Sequence, residues 1–257
     1  APTPSHYNPS MDHHTLAAVS IAGSCLDVLG TLYLAYDLLG AQHGPLRLLT
    51  RIVTYSIVFG IGYGLGLGLF FGLSAGIATG LTLAIEFNRA ARGLKHYPLP
   101  LEILFSAVRG IGFAVGLYPA VGARFAIAFA VLATIGQAIA YVRGMRPAID
   151  YAPSRRPRIT RRQFRGTLVR TVGNLAAALL CSSFVHHLDH PWLFALRVGL
   201  VVGLVTGIGI TVTPFIEYYA DNLPQRYLGA FGIGLIFLGF SLQSMQYWLT
   251  LFDIPLT

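Results

Sequence analysis

Charge is what this sequence has least of: 11% of its 257 residues are charged, while 54% are hydrophobic. The mean hydropathy is +0.64, which excludes a water-soluble domain. The single lysine, Lys95, falls in a predicted loop, so a retinal-type Schiff base on a buried lysine is excluded. The two cysteines, Cys25 and Cys181, fall inside apolar segments. They form no metal or haem motif, and we interpret them as packing residues without a disulfide.

Long apolar stretches recur from about residue 15 to residue 250, and several reach the roughly 20 residues that cross a bilayer as a helix. They are continuously apolar and lack the alternation of a membrane β-strand, which disfavours a barrel. The sequence therefore predicts an all-α, polytopic transmembrane bundle of about eight (seven or eight) spans.

A run of glycines spaced four residues apart extends from Gly60 to Gly80. Small residues at this spacing let membrane helices pack closely, so the run predicts a packing surface. However, residues 52–86 would form a single helix of about 52 Å, too long for one upright span. The segment is either one long, tilted helix or a hairpin, and we predict a hairpin of two helices with a turn near residues 66–72.

A weak threefold repeat supports that turn. Short matches ending at Arg51, Arg109 and Arg170 each open a stretch long enough for two spans. The predicted helices cover residues 15–39, 51–67, 70–88, 101–119, 123–143, 166–185, 193–218 and 227–250.

Arginine-rich connections set the predicted orientation. The loop at 89–97 and the basic loop at 144–165 should be cytoplasmic by the positive-inside rule. This orientation places both termini, including an N-terminal segment at 1–14, outside the cytoplasm of a bacterial inner membrane. The basic loop separates the first five helices, in 15–143, from the last three, in 166–257. The net charge of +8 follows from these loops and does not indicate nucleic acid.

Asp27 lies in the middle of the first predicted span, where a carboxylate is costly and commonly marks an ion path, a proton relay or a solute contact. Thr211, Thr213 and Glu217, beside Pro214, make the seventh predicted span its candidate partner in a transport site. In the alternative interpretation, Asp27 pairs with a buried arginine or bonds to neighbouring helices, and only helps the helices to pack.

Charged residues of opposite sign fall at the predicted cytoplasmic ends of the helices. The repeat suggests that Arg51 pairs with Glu86, and Arg170 with Glu217, while Arg109 occupies the equivalent place in the second repeat. Anchoring at the membrane interface is the favoured interpretation, and a cytoplasmic gate or anion site is the alternative.

Histidines cluster on the predicted outer face. Imidazole groups suit a divalent transition metal, and the candidate ligands are His13, His14, His186, His187 and His190. Their spacing matches no known metal motif. A pH-responsive loop and ordinary interfacial histidines stay as alternatives.

Together these features predict a transporter or channel for a small solute or ion, lined by glycine-rich helices. The alternatives are a membrane-bound metal or redox enzyme and a non-catalytic assembly subunit, and the pattern favours a protein that is not an enzyme. The predicted partners are the lipid bilayer, a small solute or ion, and a second copy bound through the glycine face.

Overall fold

The computed structural model describes residues 13–38, 46–94, 98–145, 158–185, 188–222 and 225–251, which contain helices and no strand. In chain order the helices are α1 (His13–Leu38), α2 (Arg47–Leu67), α3 (Leu69–Ala91), α4 (Leu99–Val142), α5 (Arg161–Cys181), α6 (Pro191–Asn222) and α7 (Gln225–Leu251). Six of these described helices are long and apolar enough to cross a membrane, and α7 contains a shorter apolar stretch. The predicted all-α class is confirmed, while the number of spans stays a prediction.

The helices group into two compact units. One unit contains α1 and α7, and the other contains α2 to α6. The sequence predicted a different division, in which the basic loop at 144–165 separates the first five membrane spans from the last three. That division stays a prediction.

The glycine run forms a tight hairpin of α2 and α3. The turn is the single residue Gly68, whose φ of 96° and ψ of 160° are accessible almost only to glycine. Across the hairpin, a methyl group on Gly76 would lie 2.6 Å from the Cα of Gly60, and one on Gly72 would lie 2.7 Å from the Cα of Gly64. The two backbones therefore touch, and the prediction of two helices over residues 52–86 is confirmed. These glycines contact each other inside the chain, and a homo-oligomer bound through the glycine face stays a prediction.

Helix α4 is also a hairpin. Gly122 has a non-helical conformation, with φ 76° and ψ 175°, and separates a first arm (99–121) from a second arm (123–142). The Thr134 hydroxyl donates to the Ser106 carbonyl at 3.2 Å, and a methyl group on Gly110 would lie 3.1 Å from the Ala130 carbonyl oxygen. The arms thus fold back on each other close to the two predicted segments, 101–119 and 123–143.

Helices α5 and α6 make the third hairpin. Gly199 packs on the backbone of Leu175, and Gly203 on that of Thr171, so the two helices run antiparallel. Helix α5 begins five residues earlier than predicted because Thr160 and Gln163 form a capping box at its start. Arg161 and Arg165 therefore belong to the helix, which corrects the predicted end of the basic loop.

The helical segments of the three hairpins pack side by side in a closed ring. Helix α3 packs on the first arm of α4, where Gly112 meets Ala78, and α4 packs on α5. Helix α6 returns to α2, where Gly62 meets Val205. Each segment therefore has two neighbours, and the segments enclose a common interior. The sequence equivalence of the three hairpins stays a prediction.

The α1/α7 unit is an antiparallel pair with its own glycine contacts. Gly23 packs against Gly239, and Gly30 against Gly232, with backbone atoms in direct contact. The seven-residue spacing on each helix keeps these glycines on one face. Close backbone approach is therefore the packing device of this unit as well.

Candidate polar site inside the α2–α6 unit

The interior of the α2–α6 unit contains many buried polar side chains for a membrane bundle. Every one of its helices contributes, and the buried polar residues of this unit are Thr50, Arg51, Thr79, Thr82, Glu86, Glu102, Ser106, Arg109, Gln137, Asn174, Thr206, Thr213 and Glu217. Five of them are ionisable groups carried by membrane-length helices. Such groups are costly inside a bilayer and usually mark a functional site.

Arg51 and Glu217 form a buried ion pair between α2 and α6. The Arg51 Nη2 group donates to Glu217 Oε2, and the Tyr55 hydroxyl donates to Glu217 Oε1. Arg51 Nη1 also lies 3.4 Å from the Asn88 side-chain oxygen. Both carboxylate oxygens thus have a donor, as a buried charge requires.

This pair differs from the pairing that the repeat suggested. The structure joins Arg51 to Glu217, so the ion pair links the first hairpin to the third rather than closing one hairpin. Glu86 is buried and makes an interaction of its own. The Arg170 guanidinium group donates a hydrogen bond to the Met145 carbonyl. The pairs Arg51 with Glu86 and Arg170 with Glu217 stay predictions.

A second charged cluster lies on the first arm of α4. Glu102 Oε1 accepts a hydrogen bond from the Ser106 hydroxyl at 3.0 Å and lies 3.6 Å from Arg109 Nη2. Arg109 Nε donates to the Phe105 carbonyl at 3.3 Å, and the residue is only 3% exposed. Arg109 Nη1 makes no hydrogen bond within the described part of the chain, in contrast to the multiply bonded Arg51.

Aromatic side chains fill the interior beside these clusters. Phe113 lies 5.8 Å from Tyr63, 6.1 Å from Phe71 and 6.2 Å from Phe129 between ring centroids. The Tyr63 hydroxyl is 2.9 Å from Thr206 Oγ1 on α6. This aromatic layer reaches from α2 to the second arm of α4, so among the described residues the interior at that level is filled by packed rings.

The predicted threonines bind backbone carbonyls. Thr213 donates to the Gly209 carbonyl at 2.7 Å, and Thr211 to the Gly207 carbonyl at 2.9 Å. Thr211 also lies 2.7 Å from Thr167 of α5. These contacts stabilise α6 around Pro214 and its packing on α5, and a role for either residue in transport stays a prediction.

Asp27 lies in the α1/α7 unit. Its Oδ2 accepts a hydrogen bond from the Gln243 side chain on α7, and its Oδ1 is buried against Gly239 without a hydrogen-bond partner among the described residues. Among the described residues its partner is therefore a neutral amide on the neighbouring helix, and both the transport role and the packing role of Asp27 stay predictions. Both units carry a carboxylate on a membrane-length helix, Asp27 in this one and Glu86, Glu102 and Glu217 in the other.

The histidines give little support for a metal site. His190 is exposed, and the described residues hold no group of three or more His, Cys, Asp or Glu side chains placed to bind a metal ion. His186 and His187 lie outside the described residues, as do the side chains of His13 and His14. The metal site stays a prediction.

Sequence reasoning missed several members of the site. Tyr55, Tyr63 and Thr206 looked like ordinary residues of apolar helices, because a polar group in such a helix gives no sign of its partner. A four-residue period of Phe105, Arg109, Phe113 and Leu117 was visible, and all four are buried on one face of the first arm. That period signals that Arg109 points inward.

Comparison of the chain with protein-family models, curated proteins and solved structures gives no match.

Proposed function

We propose that this protein is a carrier for a small solute or ion, with its path through the interior of the α2–α6 unit. The observation that carries the proposal is the buried Arg51–Glu217 pair, which joins α2 and α6 and is held by Tyr55. A bundle that needed only packing would be at least as stable with apolar residues at these positions. The desolvation cost of the pair is explained if the site binds or passes polar solutes.

The aromatic layer around Phe113 favours a carrier over an open channel. A solute must displace these packed rings to pass, so transport requires a change in conformation. An ion pair that links the first hairpin to the third is a suitable element to break and reform during that change. In this proposal the Arg51 end faces the cytoplasm of a bacterial inner membrane, as the arginine-rich loops predict.

Liposome swelling tests this function without a labelled solute. Proteoliposomes containing the full chain are diluted into isosmotic potassium salts, sugars, amino acids and organic carboxylates, and light scattering reports solute entry. We expect protein-dependent swelling in a subset of these solutes. Folded protein that supports no swelling in any of them would contradict the carrier function.

Variants of the ion pair separate function from stability. Glu217→Gln strands the buried Arg51 charge and should cost roughly 3–5 kcal/mol of stability. The double variant Arg51→Gln with Glu217→Gln removes both charges, so its thermal stability should recover while swelling stays lost. A double variant that transports like the natural chain would show that the pair is only structural.

Two milder variants complete the series. Tyr55→Phe keeps the ring contact with Phe87, whose centroid is 6.2 Å away, and removes only the hydroxyl that binds Glu217. Its swelling rate should fall while the protein stays folded. Ser241→Ala is the control, because this exposed α7 hydroxyl binds only the Phe237 carbonyl of its own helix. It should behave like the natural chain.

A further inference from the structure

Gln137 is a buried amide whose side chain makes no hydrogen bond to the residues that the structure describes. It is 6% exposed, and both its side-chain oxygen and its nitrogen lack a partner there. A primary amide buried in this way loses the hydrogen bonds that it made to water, at a substantial free-energy cost. Such a cost is commonly retained where a ligand supplies the missing bonds.

The helical register places Gln137 in the common interior. Phe125, Phe129, Ala133 and Gln137 follow each other at four-residue intervals on the second arm of α4, and all are buried. Gln137 therefore continues the face that carries the aromatic layer, roughly 12 Å along the helix from Phe129. The intervening Ala133 is a small, buried residue of the same face.

Arg109 lies on the same side of that layer. It precedes Phe113 by one turn on the first arm, and Phe113 is in ring contact with Phe129 of the second arm. Because the arms are antiparallel, moving away from Gly122 leads from Phe113 to Arg109 on one arm and from Phe129 to Gln137 on the other.

Arg109 has guanidinium donors that its described neighbours do not use, so it is able to bind an anion. Its contact with Glu102 is long, at 3.6 Å, while Glu102 already accepts a hydrogen bond from Ser106. Its Nη1 donors have no described partner. A planar guanidinium group with open donors matches the two oxygens of a carboxylate.

We propose that Arg109 and Gln137 form a binding site for a small organic monocarboxylate. Arg109 binds the carboxylate, the Gln137 amide binds a carboxylate oxygen or a neighbouring hydroxyl, and the aromatic layer packs on the carbon chain. One charge is preferred because Glu102 stays nearby and repels a second negative charge. This inference deepens the proposed carrier function by naming its solute class.

Ligand-dependent thermal unfolding of the full chain in detergent tests the site, with lactate and propionate as probes. Propionamide, the neutral counterpart of propionate, and inorganic phosphate are the controls. We expect lactate or propionate to raise the unfolding temperature in a saturable manner, and neither control to do so. If neither carboxylate shifts the transition, or if propionamide shifts it equally, the proposal is wrong.

Two variants test the residues. Gln137→Leu fills the same space without donors, so binding of the effective carboxylate should weaken about tenfold or more, while the unliganded protein is at least as stable. Glu102→Gln removes the competing negative charge and should strengthen binding. Unchanged affinity in Gln137→Leu, or weaker binding in Glu102→Gln, would overturn the assignment.

The binding and swelling experiments can fail separately. Carboxylate binding without any swelling would leave the site and remove the carrier function. Swelling in other solutes, with no carboxylate binding, would keep the carrier function and remove this solute class.

Discussion

At the scale of single residues, two carboxylates on membrane-length helices, Glu217 and Asp27, lie in different surroundings. Glu217 has a cation and a phenol as donors, whereas Asp27 has one amide donor and an oxygen without a hydrogen-bond partner among the described residues. Neutralising Glu217 strands a charge, while neutralising Asp27 does not. The same substitution should therefore have opposite effects on stability in the two units.

Asp27→Asn should keep the fold. The asparagine carbonyl still accepts the Gln243 hydrogen bond, and the cost of a membrane-buried charge disappears, so thermal stability in detergent should hold or rise. Asp27→Leu leaves the Gln243 amide unpaired and should cost about 1–3 kcal/mol.

Adding Gln243→Leu to Asp27→Leu should recover most of that loss, because both polar partners are then gone. If Asp27→Asn unfolds several degrees earlier than the natural chain, a cation partner for Asp27 is indicated. Swelling measured on Asp27→Asn, which should be lost if Asp27 acts in transport, tests the transport role predicted from the sequence.

At the scale of helices, glycine has two distinct uses. In the α2/α3 hairpin it allows one backbone to touch the other, and at Gly68 and Gly122 it allows a conformation that other residues rarely adopt. The two uses predict different responses to the addition of one methyl group.

Gly76→Ala tests the close approach. The new methyl group would lie 2.6 Å from the Cα of Gly60, so the hairpin must open, and we expect a loss of roughly 1–3 kcal/mol in thermal or denaturant unfolding. The matched control is Gly136→Ala in the exposed part of α4, where a methyl group meets no atom within 4 Å. There alanine should gain up to about 1 kcal/mol from its helix propensity. Equal effects at the two sites would contradict this account of the glycine run.

Gly122→Ala tests the turn. A methyl group has open space there, yet φ of 76° with ψ of 175° is strained for alanine, by about 1–3 kcal/mol. We expect lower thermal stability without any steric overlap. A fully stable Gly122→Ala protein would mean that the two arms join differently.

At the scale of the whole molecule, helical hairpins determine which ends lie on the same side of the membrane. The turns at Gly68 and Gly122 return the chain twice, so residues 47, 92 and 143 should lie at one face. The abundance of arginine in these connections predicts that this face is cytoplasmic.

Cysteine labelling in inverted and right-side-out vesicles measures this topology. Cys25 and Cys181 are first replaced by serine and alanine. Single cysteines at the exposed positions 92 and 158 should then react from the cytoplasmic side, and one at position 190 from the outside. Labelling of positions 92 and 158 from opposite faces would contradict the hairpin at α4.

The amino-acid sequence by itself determined the class and the segmentation of this protein. Continuous apolar stretches can satisfy their backbone only as helices in lipid, and the length of residues 52–86 required a turn, which falls at Gly68. The early start of α5 was also readable, because Thr160 and Gln163 have the spacing of a capping box. These features depend on local chemistry, so a single segment is enough to predict them.

Only the tertiary structure decided which polar groups meet. The sequence suggested pairs within each hairpin, whereas Arg51 binds Glu217, 166 positions away. The sequence also gave no sign that Arg51 makes several hydrogen bonds, whereas Arg109 has guanidinium donors without a described partner. Helical periodicity shows that a residue points inward, but its partner depends on how separate hairpins pack. In lipid, that packing depends on close contact between small residues, because lipid is as apolar as the side chains and gives no hydrophobic driving force between helices.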